Sequence, residues 1–447
     1  MKKILTFLIP TLLVSGLASA EVSAETAFVF NTFLFVFCGI LVMFMALGFA
    51  MLEAGFVRKK NTSAILLKNI ALYSIAGIMF YLIGYSLMYV DVSGWIGSLG
   101  GAFYNPSSDE LALLDGAENV AAIADTGYSV ASDWFFQMVF CATAISIVSG
   151  ACAERIKVWP FMIFAAIMTG IIYPIYGSWT WGGGWLAEMG FSDFAGSTIV
   201  HSVGGWAAVV GCLILGPRAG KYSSDGKISP IAGANMPLAC LGTFILWFGW
   251  FGFNGGSALA ANGDAAMAML VTHISAATAA ITWMFYEWVK FGKPTALGMV
   301  TGIIAGLGTI TPASGFVGPA GALVIGFLAG VVCFNAVIFV KQKLKIDDSL
   351  DVFPVHGVGG IIGTLLAGIF AASSLGIFSG QGLAEGMTIS SQLGVQFVGV
   401  ISTIIYTAVA TFIILKIIEP ITGLRVSDDE EQQGIDITSH EEKGYDL

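Results

Sequence analysis

The sequence is short of charge. Lysine, arginine, aspartate and glutamate together make up 11% of its 447 residues, whereas 56% of the residues are hydrophobic. Soluble globular proteins carry about 25% charged residues. The composition therefore excludes an ordinary soluble domain, and no nucleic-acid partner is expected.

Cysteine and histidine are scarce as well, with six and four copies. The cysteines show neither the C-x-x-C spacing of a metal site nor the framework of a small disulfide-rich protein. All six fall in apolar runs, so we interpret them as small core residues and predict no metal site. They are Cys38, Cys141, Cys152, Cys212, Cys240 and Cys333.

Long apolar runs dominate the chain, and its mean hydropathy is +0.85. Runs of about 20 apolar residues are long enough to cross a bilayer as helices. Helices are the only open-ended structures that satisfy their own backbone in lipid. The sequence thus predicts an all-α integral membrane protein with eleven transmembrane helices, at 27–56, 68–91, 132–152, 158–181, 195–216, 231–253, 264–289, 296–312, 316–340, 353–373 and 391–418.

The first 20 residues have the pattern of a signal peptide. Lys2 and Lys3 precede an apolar core at 4–17, and Ala18-Ser19-Ala20 forms an A-x-A cleavage site before Glu21. The alternative is an uncleaved first helix, but the apolar core is short for a span, which favours cleavage. We expect a membrane domain at 21–418 and a tail at 419–447.

The basic residues indicate the orientation. After the signal peptide, every lysine and arginine falls in alternate loops or in the tail, while the loop 92–130 has five acidic residues and no basic one. The positive-inside rule places the basic loops in the cytoplasm. The N-terminus is then outside and the C-terminus inside. We expect the acidic, polar tail to be cytoplasmic and mobile.

Two matching segments suggest an internal repeat. His201-Ser202-Val203-Gly204-Gly205 and His356-Gly357-Val358-Gly359-Gly360 both fit H-x-V-G-G, and Asp193 and Asp348 lie eight residues before the two histidines. The segments fall in the fifth and tenth helices. Because a duplicated five-helix unit must enter the membrane in opposite senses, we predict an inverted repeat of helices 1–5 and 6–10 around a central pore. A histidine deep in a membrane is a functional candidate; the alternative is two core histidines that satisfy each other.

Several further motifs occur in a specific order along the chain. Taken together, the sequence resembles the ammonium transporter (Amt/Mep/Rh) family, and its bacterial Amt branch most. The resemblance implies a transporter, not an enzyme, that needs no cofactor, assembles as a homotrimer with one pore per protomer, and lies in a bacterial inner membrane. The motifs are Ala153-Glu154-Arg155, Trp181-Gly182-Gly183-Gly184, Asp193-Phe194-Ala195-Gly196, Trp250-Phe251-Gly252-Phe253-Asn254, Thr311-Pro312-Ala313 and Asp351-Val352-Phe353-Pro354-Val355-His356-Gly357.

The resemblance also assigns site residues. It implies that His201 and His356 are twin pore histidines, which should be neutral because a charged one is costly at mid-membrane. An outer ammonium-recognition site would comprise Trp181, Phe140, Ser257 and Thr311. Phe140 and Phe253 would form a gate of stacked rings, and Phe136 and Gln137 would line the vestibule.

Some of these residues have a second interpretation. Trp181 could attract a cation with its ring face, or belong to the aromatic belt at the membrane interface. Asp193, Asp348 and Asp351 could bind a cation or cap the helices that follow them, and we favour caps. Asp193 would also add negative potential near the outer site.

Two other functions and one partner are also compatible with the sequence. A haem-binding membrane oxidoreductase could use His201 and His356 as axial ligands, and a family member could act as an ammonium sensor. Gly423-Leu424-Arg425-Val426 and Gly434-Ile435-Asp436-Ile437 resemble the family's C-terminal segment, which implies binding of a PII-type regulatory protein at the cytoplasmic face. The match departs from the family pattern near His440-Glu441-Glu442.

Overall fold

The structure is a computed structural model, and it describes residues 22–98 and 127–445. The predicted signal peptide at 1–20 and most of the acidic loop at 92–130 lie outside the described residues. The described residues comprise a bundle of long helices and a C-terminal segment with two short ones.

The helices confirm the predicted fold class. Within the part of the chain that the structure describes, ten helices are long and apolar enough to cross a membrane, and an eleventh apolar helix is shorter. The described ranges contain no strand longer than an isolated bridge. In chain order the helices are α1 (Ala24–Phe56), α2 (Lys59–Tyr89), α3 (Val130–Ala151), α4 (Val158–Glu188), α5 (Ser197–Leu215), α6 (Met236–Gly256), α7 (Gly263–Phe291), the short α8 (Ala296–Ile310), α9 (Pro319–Lys343), α10 (Phe353–Phe370) and α11 (Ile389–Thr422), followed by the tail helices α12 (Asp428–Gln433) and α13 (Ile435–His440).

The two halves of the bundle pack in the same pattern. Helix α1 packs most extensively against its repeat counterpart α6, and α5 packs against its counterpart α10. Within each half the third helix contacts the first and the fifth, as α3 does with α1 and α5, and α8 with α6 and α10. This is the inverted repeat that the two H-x-V-G-G segments predict.

Both central helices begin with a wide turn. The backbone is π-helical at Ser197–Ser202 in α5 and at Phe353–Val358 in α10, and each of these turns contains the histidine. Such π-bulges are rare and occur mostly at functional sites. Because the wide turn shifts the side chains that follow it, it sets the direction in which each histidine projects.

Glycines bring α5 and α10 into close contact. A Cβ atom added to Gly205 would lie 2.5 Å from the backbone nitrogen of Gly357, and one added to Gly360 would lie 2.7 Å from the backbone oxygen of Ser197. No side chain fits at either position. The glycines of the two motifs therefore allow the helices to cross, with the histidines side by side.

A buried ion network joins the loops at the end of the bundle that carries the basic residues, hereafter the basic end. Arg218 is 4% exposed and pairs with Glu154 at 2.6 Å and with Asp347 at 2.8 Å. Burial alone would raise the pKa of Asp347, but the hydrogen bonds and charge of Arg218 hold that pKa well below its usual range. The positive charge at this end is therefore partly neutralised within the protein.

The expectation of a mobile tail is wrong, because its acidic side chains have partners on the bundle. Glu431 is buried, accepts the backbone N–H of Ala219 at 2.8 Å and lies 3.8 Å from the guanidinium of Arg58. Within the tail it also pairs with Arg425 at 2.7 Å. Asp436 is buried too, and its carboxylate accepts the backbone N–H groups of Ser63 and Ala64 at 3.0 and 2.8 Å. These pairings fix the tail from 424 to 440 against the basic end.

The same contact explains where α2 begins. The sequence predicts a span from residue 68, whereas the helix runs from Lys59, with its α-helical part from Thr62. The first turns include Ser63, and their free N–H groups are capped by Asp436 from the far end of the chain. Helix α11 likewise extends to Thr422, past the predicted end at 418.

Candidate functional site

The histidine pair lies at the centre of the bundle. Nδ1 of His201 is 3.2 Å from Nδ1 of His356, and the two ring planes are within 19° of parallel. The side chains are 0% and 5% exposed. At this distance one Nδ1 donates the hydrogen bond and the other accepts it, so the two rings carry opposite tautomers when neutral.

One face of the His201 ring packs on another aromatic ring, and one of its nitrogens is available to a ligand. Its ring stacks on Trp250 with centroids 5.0 Å apart and a tilt of 14°. Its Nε2 atom is buried and has no hydrogen-bond partner among the described residues. A buried polar atom without a partner is costly, which marks Nε2 as a point where a small ligand could form a hydrogen bond.

Thr311 supports this arrangement. It does not line the outer cavity, although the resemblance implies that it belongs to the outer recognition site. Its hydroxyl accepts a hydrogen bond from Nε1 of Trp250 at 2.8 Å and donates to the carbonyl of Leu307 at 2.8 Å. Thr311 is fully buried behind the ring that packs on His201. With both contacts made, the hydroxyl has no access to the outer cavity.

A ladder of aromatic rings leads from the histidines toward the opposite end of the bundle. The ring of Phe253 is 5.5 Å from that of His201 and stacks on Phe140 at 3.8 Å with a tilt of 18°. Phe140 in turn contacts Trp181 edge to face at 5.9 Å. The two phenylalanines are fully buried and stacked, so they close the route between the outer cavity and His201.

The outer cavity gathers most of the predicted recognition residues. It has a volume of about 220 Å³ and is lined by Trp181, Phe140, Ser257, Phe136 and Gln137. The hydroxyl of Ser257 donates to the carbonyl of Phe253 at 2.9 Å, which leaves its oxygen lone pairs free to accept. The cavity is thus lined by ring faces and hydrogen-bond acceptors.

Trp181 is anchored by the loop that precedes α5. Its Nε1 atom donates to the backbone oxygen of Asp193 at 2.9 Å. Its ring lies beside Gly196, at the place that a Cβ atom of any other residue would occupy. A larger residue at Gly196 would collide with the ring at 2.9 Å. The loop before α5 therefore sets the orientation of the tryptophan toward the cavity.

Asp133 also lines the outer cavity, and none of the sequence motifs includes it. Its carboxylate accepts hydrogen bonds from the Tyr85 hydroxyl at 2.8 Å and from Nε2 of Gln137 at 3.2 Å. The available signal was its position four residues before Gln137, because residues four apart share a helix face. It adds an acidic group to the place where the resemblance implies that a cation is recognised.

The aspartates before α5 and α10 act as caps. Asp193 accepts the backbone N–H groups of Gly196, Ser197 and Thr198 at 2.7 to 2.9 Å. Asp348 accepts that of Phe353 at 2.7 Å, in the equivalent position of the repeat. Burial, with the nearby charge of Asp351, raises the pKa of Asp348 to about 6. Asp351 pairs with Lys341 at 2.5 Å.

Below the histidines a smaller cavity opens toward the basic end. It has a volume of about 40 Å³ and is lined by His356, Ser146, Thr301 and Asp351, together with Glu53 and apolar side chains. Nowhere in 22–98 or 127–445 do three or more histidine, cysteine or acidic side chains group as a metal site would require. The arrangement is an outer cavity, an aromatic closure, a histidine pair and an inner cavity in series.

Comparisons with known proteins identify the family. The family model described as Ammonium Transporter Family matches residues 33–445. An ammonium transporter of Aquifex aeolicus is 40% identical over 419 residues, covering 93% of each chain. One of Bacillus subtilis is 36% identical over 415 residues, covering 93% of this chain and 98% of the relative.

Solved structures show the same fold. A sensor Amt protein is 38% identical with a TM-score of 0.83, and the match covers 92% of this chain and 98% of the other. Mep2 of Saccharomyces cerevisiae is 32% identical with a TM-score of 0.77, covering 91% and 90%. The chain belongs to the ammonium transporter family.

Proposed function

We propose that the protein moves ammonium across the membrane through the series of cavities centred on His201 and His356. The observation that carries the proposal is the unbroken succession of Trp181, Phe140, Phe253 and the histidine pair. It joins a cation-attracting cavity to a buried polar pair through an apolar constriction. Ammonium transport requires recognition of a cation and then removal of its water, and this succession supplies both.

The outer cavity is the recognition site in this proposal. The ring face of Trp181 attracts a small cation, worth about 0.5–2 kcal/mol depending on desolvation. Ser257 can accept an N–H hydrogen bond, and Asp133 adds an acidic group nearby. The carboxylate of Asp193, by contrast, accepts backbone N–H groups at the start of α5. Its role is therefore to position Trp181 and the helix.

The stacked phenylalanines and the histidine pair select for ammonia. Burial disfavours the charged form of an amine and so lowers its pKa, which allows ammonium to release a proton where potassium cannot. Potassium then meets the full cost of losing its water. Phe140 and Phe253 must turn aside for each passage, and the neutral histidines offer hydrogen bonds beyond them. The net charge moved per ammonium depends on whether the released proton also crosses the membrane.

The geometry of the histidines disfavours the haem alternative. A haem with two axial histidines needs its porphyrin to lie between the two imidazole rings, with one ring on each face. The Nδ1 atoms are 3.2 Å apart and bonded to each other. The sensor alternative is not favoured either, since the Aquifex and Bacillus relatives are named as transporters, although one similar structure is a sensor Amt protein.

Assembly and regulation are finer parts of the proposal. We place the protein in a bacterial inner membrane as a homotrimer, for which the support is the family resemblance and the exposed large apolar side chains of α1, α6 and α7. The cytoplasmic face would bind a PII-type regulator. In support, the Gly423-Leu424-Arg425-Val426 segment lies against the basic end, where the backbone of Val426 bonds to that of Arg155 at 3.0 Å.

One experiment tests the proposed function directly. Purified protein in liposomes on a solid-supported membrane should respond to a pulse of ammonium or methylammonium with a current or an internal pH change. Potassium at the same concentration is the control and should give neither. Equal responses to potassium and ammonium would overturn the proposal.

A further inference from the structure

The inner cavity contains a buried carboxylate that the pathway above does not use. Glu53 lies in the last turn of α1, is 2% exposed, and lines the cavity together with His356. Its Oε2 atom accepts hydrogen bonds from Asn69 at 2.9 Å and from the Ser149 hydroxyl at 2.7 Å. Its Oε1 atom has no hydrogen-bond partner among the described residues.

The free oxygen lies beside a glycine of the neighbouring helix. Gly150 of α3 also lines the cavity, and a Cβ atom at this position would lie 3.6 Å from Oε1. The cavity of about 40 Å³ exceeds the 10–15 Å³ that a water molecule needs. The cavity therefore has room for a species the size of ammonium next to Glu53.

Lys68 makes an ionised carboxylate tolerable at this depth without occupying Oε1. The residue is 3% exposed, and its ammonium group donates to the backbone oxygen of Ser149 at 2.9 Å and lies 4.9 Å from the ring centre of Phe161. Ser149 thus links the two charged groups, donating to Glu53 and accepting from Lys68. Within the described residues Lys68 and Glu53 form no ion pair of 4.0 Å or less, so Oε1 remains available to a mobile cation.

We propose that Oε1 of Glu53 is an inner binding site for ammonium and other small cations with N–H donors. The inference rests on the proposed function and deepens it by giving the pathway a second recognition site. The outer site holds the cation with a ring face and a hydroxyl, whereas the inner site holds it with a carboxylate. The two ends of the pathway therefore bind the same ion by different chemistry, and each can be altered without the other.

The test measures ammonium half-saturation separately at the two ends. Currents are recorded from inside-out and right-side-out vesicles while ammonium is applied to one face. Glu53→Gln preserves shape and an acceptor for Asn69 and Ser149 but removes the charge. Because charge-assisted hydrogen bonds are about twice as strong as neutral ones, we expect the half-saturating concentration at the basic end to rise about tenfold, and that at the outer end to stay within about twofold.

Two further variants make the test decisive. Trp181→Leu should raise the half-saturating ammonium concentration at the outer end only, the reverse of the effect expected for Glu53→Gln. Glu53→Asp keeps the charge beside Lys68 but withdraws the oxygen from the cavity, so it should also raise half-saturation at the basic end, and it replaces the glutamine variant if that protein does not fold.

The outcomes separate the two proposals. If folded Glu53→Gln and Glu53→Asp proteins keep wild-type half-saturation at the basic end, Glu53 only balances Lys68 and the inner site does not exist. If wild-type protein transports ammonium from neither face, the proposed function itself fails.

Discussion

Two imidazoles joined by one hydrogen bond lie between the outer and inner cavities. Replacing either His201 or His356 by alanine removes the hydrogen bond and leaves its partner's Nδ1 atom buried without a partner. We expect either variant to impair selective ammonium transport, measured as ammonium-dependent current relative to potassium. His273→Ala is the matched control, because His273 stacks on Trp247 on an exposed part of α7. Wild-type selectivity in both pore variants would make the pair structural.

Trp181 gives a second prediction at this scale. Trp181→Leu keeps an apolar side chain but removes the ring face above the outer cavity. Loss of a cation–π contact of about 0.5–2 kcal/mol corresponds to a rise of roughly 2- to 30-fold in half-saturation. The rise is measured as the dependence of transport on ammonium concentration at the outer face. Trp159→Leu, at the exposed start of α4, is the control. If the concentration dependence does not change, Trp181 belongs to the aromatic belt at the membrane interface and does not bind ammonium.

Sequence alone identified most of the pore residues but not their supports. The histidines, Trp181 and Phe253 lie in sequence motifs, whereas Phe140 and Ser257 were named only from the family resemblance. All six border the proposed pathway. The position of Thr311 behind Trp250 could not be predicted, because the hydrogen bond between them joins residues 61 apart. Glu53 escaped notice because its environment comes from three helices, and no local pattern reveals which side chains meet an acid across a bundle.

Among the helices, the crossing of α5 and α10 leaves no room for an added side chain at its glycines. Gly205→Ala would place a methyl group 2.5 Å from the backbone nitrogen of Gly357. Because backbone cannot move aside as a flexible side chain can, we expect destabilisation of about 1–3 kcal/mol or more, measured as a lower melting temperature of purified protein. Gly263→Ala is the control, since a Cβ there meets nothing within 4 Å. Equal stability of the two variants would show that α5 and α10 can separate without cost.

The positions of the helices were predictable because apolar runs set their length, and the inverted repeat followed from the spacing of its two motifs. The ends of the helices could be predicted less well from the sequence. The start of α2 was missed by several residues because Asp436, more than 370 residues away, provides its cap. The wide turns before the histidines were not predicted, since the hydrophobic pattern does not distinguish a π-turn from an α-turn.

At the scale of the whole molecule, the tail connects the end of the chain to the start of α2. Asp436→Ala removes the acceptor for two backbone N–H groups, and loss of a cap costs about 0.5–2 kcal/mol. We expect faster proteolysis of the tail and a lower melting temperature. Asp429→Ala is the control, because Asp429 is an exposed acid of the same tail. Equal protease resistance of the two variants would contradict the role of Asp436.

Assembly and regulation give the last prediction. In native lipid or mild detergent the protein should have the mass of a homotrimer, and the host's PII-type protein should bind it in a manner that depends on nucleotide and 2-oxoglutarate. Asp436→Ala should weaken that binding if the packed tail presents the docking surface. A stable monomer would contradict the assembly, and no binding with any effector would leave the tail as a structural brace.

The hydrogen bond between the two Nδ1 atoms has a consequence for the symmetry of the pore. The fold repeats itself, but at a separation of 3.2 Å the proton between the two Nδ1 atoms belongs to one of them, so the pair is polarised. The ring that donates through Nδ1 presents a bare lone pair at Nε2, while its partner carries its proton at Nε2. A molecule arriving from one end therefore meets an acceptor, and one arriving from the other meets a donor, until the two rings exchange tautomers.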